Sequence, residues 1–91
     1  MHELGIASSI LDAVRAESVR YPGSRASKVG VRVGEYSGVD TESLRFCFEA
    51  LVKGDNLEPL ALDIEYCPAG EGSRGDELIL SYVEIEELET S

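Results

Sequence analysis

Apolar residues recur at two periods along this chain, and the switches between them set the order of its elements. Over residues 3–19, Leu4, Ala7, Leu11, Val14 and Ser18 fall on one stripe, with Ile6 and Ile10 beside it and Asp12, Arg15 and Glu17 facing away. That spacing predicts an amphipathic helix. The run Tyr21-Pro22-Gly23-Ser24 closes it, because proline cannot continue a helix and glycine relieves the turn. Residues 27–35 change to period two: Val29, Val31 and Val33 point one way, and Lys28, Gly30, Arg32 and Gly34 the other. This predicts a half-buried strand. Tyr36-Ser37-Gly38-Val39 reads as a loop that delivers Asp40 to the N-cap position of a second helix. That helix covers residues 41–53, with Leu44, Cys47, Phe48, Leu51 and Val52 on one face and Gly54 as its stop.

Residues 59–66 alternate again, grouping Leu60, Leu62, Ile64 and Tyr66. After Cys67-Pro68, residues 69–75 carry no hydrophobic pattern and read as a short flexible connector. The last strand is expected over 77–87, with Leu78, Leu80 and Tyr82 on one face and Ile79, Val83 and Ile85 on the other. A strand apolar on both faces is expected to be central or covered. The tail from Leu88 to Ser91 is expected to fray. The order α-β-α-β-β predicts a single α+β domain over residues 1–91: a small mixed three-stranded sheet with two helices packed on one face. If successive elements return antiparallel, the second helix starts where the first does. The two strands flanking it are then parallel with a right-handed crossover. Met1, His2, Glu3, Glu35 and Asp40 would share that edge, and Cys67 would finish there.

Composition narrows the function. The chain has 91 residues, 43% of them apolar, enough for a modest core that an oligomer would enlarge. Eighteen acids against eight bases give a net charge of −10. Residues 1–53 hold seven of each, so the excess lies wholly in residues 54–91, where Arg74 is the single base. With no basic surface to release counterions, nucleic acid is excluded as a partner, and an anionic membrane face is disfavoured. The apolar runs are broken by charge too soon to span a bilayer, and Met1-His2-Glu3 lacks the basic start of a signal peptide. Two cysteines, Cys47 and Cys67, suit a reducing compartment, so a cytoplasmic location is expected.

The one histidine is His2. A free α-amine, the amide nitrogen of residue 2 and the imidazole of residue 2 can wrap one divalent metal in fused chelate rings. The amide binds only when deprotonated, which favours Ni²⁺ or Cu²⁺ in a square-planar arrangement over Zn²⁺ or Mg²⁺. A bulky second residue favours retention of Met1. The plainer reading of His2 alone is a terminal residue or a weak helix cap.

The company His2 keeps adds a resemblance. Met1-His2-Glu3-Leu4 before a small-residue helix, Val33-Gly34-Glu35-Tyr36-Ser37-Gly38-Val39-Asp40, and Leu44-Arg45-Phe46-Cys47-Phe48-Glu49 together resemble the HypA/HybF family of nickel-incorporation factors. Leu62-Asp63-Ile64-Glu65 and Gly75-Asp76-Glu77-Leu78 look like that family's flanking strands, so the resemblance covers nearly the whole chain. It implies nickel binding by Met1, His2 and Glu3, with Asp40 associated with the same site. It also implies a nickel-handling GTPase and the hydrogenase large subunit as partners, with hydrogenase or urease maturation as the destination. One departure is large. The family carries a zinc module with two Cys-x-x-Cys pairs between the last two strands, whereas here Cys67-Pro68 leads only into residues 69–75. A closed zinc site needs about four ligands, so no zinc is expected.

The remaining reactive side chains have simpler readings. Cys47 lies on the apolar face of the second helix and reads as a small buried hydrophobe. Cys67 reads as a strand-end residue, and Glu84, Glu86, Glu87 and Glu89 as a solvated edge and tail. With the imidazole at His2 alone, no nucleophilic triad can be assembled for Ser8 or Ser9, so no enzyme is expected. The alternative to a metal carrier is an acidic protein-interaction module with no physiological metal site.

Overall fold

The computed structural model describes residues 2–55, 57, 59–70, 72 and 74–87. Its elements are α1 (Glu3–Val19), β1 (Ser24–Gly34), α2 (Thr41–Gly54), β2 (Ala61–Cys67) and β3 (Leu78–Glu87). The α+β order matches the hydrophobic pattern. The first strand starts three residues early, at Ser24, because Gly23 takes a positive φ of 81° and turns the chain directly into the sheet. The expected tail from Leu88 to Ser91 lies outside the described residues.

The sheet order is β2-β1-β3. Joined through α2, β1 and β2 run parallel, with Val29, Val31 and Val33 beside Leu62, Ile64 and Tyr66. β3 returns antiparallel on the other flank of β1. Both helices lie over one face, where Ala7, Leu11 and Val14 of α1 and Leu44, Phe48 and Val52 of α2 meet the three β1 valines in one buried core. Leu4, expected on the inner stripe of α1, is exposed, and Ile10 is buried instead. The buried stripe of α1 therefore begins at its second turn. Tyr66 shares the helix side with Leu62 yet is exposed.

Two expectations for the last strand are corrected. It is an edge strand, not a central one; the central place belongs to β1. Its faces also differ from a simple alternation. Gly30 pairs with Tyr82, but the next residue, Val31, pairs with Leu80, leaving Ser81 as an extra residue in the ladder. A one-residue bulge exchanges the faces of everything beyond it. Leu78, Leu80 and Val83 therefore lie on the side of the core valines, while Ile79 and Tyr82 lie on the open side with Arg32 and Gly30.

Because β1 separates β2 from β3, the connector cannot be a hairpin and must cross the end of β1. Both ends of the connector are bonded to the end of β1. The amides of Gly34 and Tyr36 donate to the carbonyls of Glu77 (2.8 Å) and Gly75 (2.5 Å), and Glu35 N–H donates to Cys67 O (2.9 Å). Gly34 is needed for this approach, since a Cβ there would strike the backbone of Gly75 and Glu77.

Candidate metal centre

The end of the domain where α1 and α2 both begin gathers part of the expected site. His2 has extended backbone (φ −89°, ψ 92°) and occupies the N-cap of α1, where its carbonyl accepts the Ile6 amide at 3.2 Å. Its imidazole makes no capping hydrogen bond and is exposed. The side chain is thus not spent on the helix it precedes. Met1 lies outside the described residues.

Glu3, in the first turn of α1, accepts the backbone N–H of Asp40 on Oε2 at 3.1 Å. This contact crosses 37 positions of sequence and joins the starts of the two helices. The Asp40 amide, followed by Glu3's own amide, favours the charged carboxylate and holds the Glu3 pKa below its ordinary value of 4.5. Asp40 is the N-cap of α2, its Oδ1 accepting the amides of Glu42 (3.1 Å) and Ser43 (3.2 Å). These would otherwise be orphan donors of the first turn. The expected meeting of Glu3 and Asp40 is therefore found, with a backbone amide between them and both carboxylates already engaged.

Glu35 is held differently. Its Oε1 accepts the Ala69 amide at 2.8 Å, which ties it to the connector. Cys67 ends β2, buried, with Sγ 4.0 Å from both the carbonyl and the carboxylate of Glu65. Arg32 stands beside it; the Cys67 thiol first, then the Glu65 carboxylate, favours the charged guanidinium and raises its pKa. Cys47 is half-buried against the core. Among the described residues, no three His, Cys, Asp or Glu side chains come together in a way that would hold a metal ion.

Sequence reasoning missed three contacts. Glu3 to the Asp40 amide carried no motif. Arg45 Nη1 donates to Leu62 O at 2.8 Å, closing the outer edge of β2. On the open face, Tyr82 lies across Gly30 and donates to Asp63 Oδ2 at 2.5 Å. An isolated glycine within a strand is the signal for such a close approach.

Comparison with known proteins bears on the same segments. Residues 1–72 match the family model described as HypA, hydrogenase/urease nickel incorporation, metallochaperone. The hydrogenase maturation factor HypA of Geotalea daltonii is 45% identical over 69 residues, which are 76% of this chain and 60% of that protein. That of Chlorobium limicola is 46% identical over 65 residues, 71% and 56% of the two. The chain thus spans roughly three-fifths of the length of the curated relatives it matches. The solution structure of the Ni metallochaperone HypA from Helicobacter pylori shares the fold, with a TM-score of 0.67 over 97% of this chain and 98% of that one at 18% identity.

Proposed function

The chain belongs to the HypA family, and on that premise we propose that it is a non-enzymatic nickel(II) carrier serving the maturation of nickel enzymes. The observation that carries this reading is the exposed imidazole of His2, which sits on extended backbone at the start of α1 and is unspent as a cap. In a chain whose first residue is Met1, that imidazole, the residue-2 amide and the α-amine offer three nitrogen donors at an accessible end. Nickel is the cargo, and ligand exchange at such an end releases it without unfolding anything. Glu3 acts as a positioning residue: its bond to the Asp40 amide fixes where the helix, and hence the terminus, begins. Asp40 fixes the start of α2. The cargo would pass to a nickel-handling GTPase and on to the hydrogenase large subunit, with urease as a second destination. No zinc is expected, since Cys47 and Cys67 are too few for a closed site of about four ligands.

The test is nickel titration of the untagged protein. One Ni²⁺ per chain is expected, with a visible d–d band that marks square-planar amide coordination and weakens as pH falls, because protons compete for the donors. His2→Ala and a one-residue extension before Met1 should each remove the band, although only the first deletes a side chain. Undiminished binding in the extended protein would overturn the chelate, as would loss of binding on Glu84 substitution alone. Stoichiometric zinc in the dialysed protein would overturn the zinc-free reading.

A further inference from the structure

β3 has the sequence of a covered strand and the position of an uncovered one. It flanks β1 on one side, and among the described residues its other edge carries no partner strand. Leu78, Ile79, Leu80 and Tyr82 remain 39, 47, 39 and 37% exposed, on both faces of the strand. The opposite edge of the sheet is treated otherwise, since Arg45 reaches down from α2 to occupy a β2 carbonyl. Among the described residues, no side chain from outside the sheet bonds to the backbone of β3. A long, apolar, unblocked edge is a template for another strand. Beside it, Ala13 and Glu17 of α1 with Leu80 and Val83 line a groove of about 420 Å³, which gives room to alternate side chains of an added strand.

Charge decides the occupant. The second half of β3 carries Glu84, Glu86 and Glu87, and residues 75–87 contain no lysine or arginine. Arg25 takes Glu86 at 3.1 Å, whereas Glu84 and Glu87 have no ion-pair partner among the described residues. A second copy of this chain would bring the same acids and no bases on the paired strand. The geometry points to an extended basic segment of a different protein, adding antiparallel to β3. Its Lys- or Arg-bearing half would lie beside Glu84 and Glu87, and its apolar half beside Leu78–Leu80. In chain order the basic half comes first. This surface is independent of the nickel site, and the two can fail separately.

The probe is a synthetic peptide of about ten residues, the length of β3, with lysines at successive positions of its first half, so that the acids on both faces are met, and alternating threonine and valine in its second. Its control replaces every lysine by glutamate. With the full chain, the basic peptide should protect the amides of residues 78–83 from hydrogen exchange and bind about tenfold more tightly than the control, a ratio that two or three cross-strand charge pairs supply. Added salt should narrow the ratio, and Glu84→Lys with Glu87→Lys should invert it. Equal binding of both peptides, or no protection of β3 by either, would overturn the proposal. So would a concentration-dependent dimer with protected β3 amides, since a second copy would then be the occupant.

Discussion

The two faces of β1 are built on opposite principles. On the helix side, Val29, Val31 and Val33 are sealed beneath Leu11, Leu44 and Phe48, with no polar partner required. On the other side the same strand offers Lys28, Gly30, Arg32 and Gly34, and among the described residues no helix covers them. That face is closed by side chains reaching across strands: Tyr82 over Gly30 to Asp63, and Arg32 toward Glu65 at 3.8 Å. One face buries area; the other spends glycines to let neighbours lie flat on the backbone. The difference teaches where the fold's stability resides.

The contrast breaks most visibly at Phe48. It is fully buried where α2 meets the sheet, so Phe48→Ala should cost about 3–5 kcal/mol through lost transfer energy and an unfilled cavity. A denaturant series should show the midpoint fall sharply with the slope little changed. A loss below about 1 kcal/mol would mean that the helix face is not the tightly packed core described.

Gly30→Ala probes the other face. A Cβ there would collide with the Tyr82 ring, and displacing the ring should cost about 1–3 kcal/mol, offset by the roughly 0.4–1 kcal/mol that alanine gains by restricting the unfolded chain. The sharper test is the double-mutant cycle. In a Tyr82→Ala background the same Gly30→Ala change should be neutral or stabilising, giving a coupling energy of the kind contacting residues show. Additive effects would break the claim that Tyr82 closes this face.

How much of this was legible in the sequence follows the same division. Period-two alternation over residues 27–35 and the helical stripe over 41–53 announced the buried face, because burial imposes a period that any reader can count. The order of elements and the direction argument also carried Glu3 and Asp40 to one end of the domain. What failed was non-local. The bulge at Ser81 leaves no mark in composition, yet it moves Tyr82 to the open side and Val83 to the core. The edge position of β3 depends on which neighbour β1 accepts, and apolar residues on both sides read as central because the pattern records the need for cover without saying who supplies it. At the candidate metal centre, the place of His2 before α1 and the nearness of Glu3 and Asp40 were legible from the order and direction of the elements. The capping of α2 by Asp40 was legible too, whereas the hold of the Glu3 carboxylate on the Asp40 amide was not, since a clamp between two helix starts is set by how the helices pack.

The smallest expected effect is also the most local. The Tyr82 phenol donates to Asp63 Oδ2, and that bond, together with the nearby carboxylate charge, raises its pKa from 10.0 to about 12. Ionising it would set two anions against each other across Gly30. Since the folded pKa lies above the unfolded one, the clasp's contribution to stability is fully present below about pH 10 and is lost as pH rises through about 12. The side chain is solvent-accessible, so the free energy is small and screened by salt. The titration is the better readout. Of the four tyrosines, one should give its ultraviolet tyrosinate signal late, near pH 12. Tyr82→Phe should delete that late step, whereas Asp63→Asn should draw it back toward the ordinary value, because the amide still accepts a hydrogen bond but carries no charge. If all four tyrosines ionise together in the wild type, the phenol is not clasped. The open face would then rest on the β1–β3 ladder alone, and the coupling expected between Gly30 and Tyr82 would have to be steric, without any contribution from Asp63.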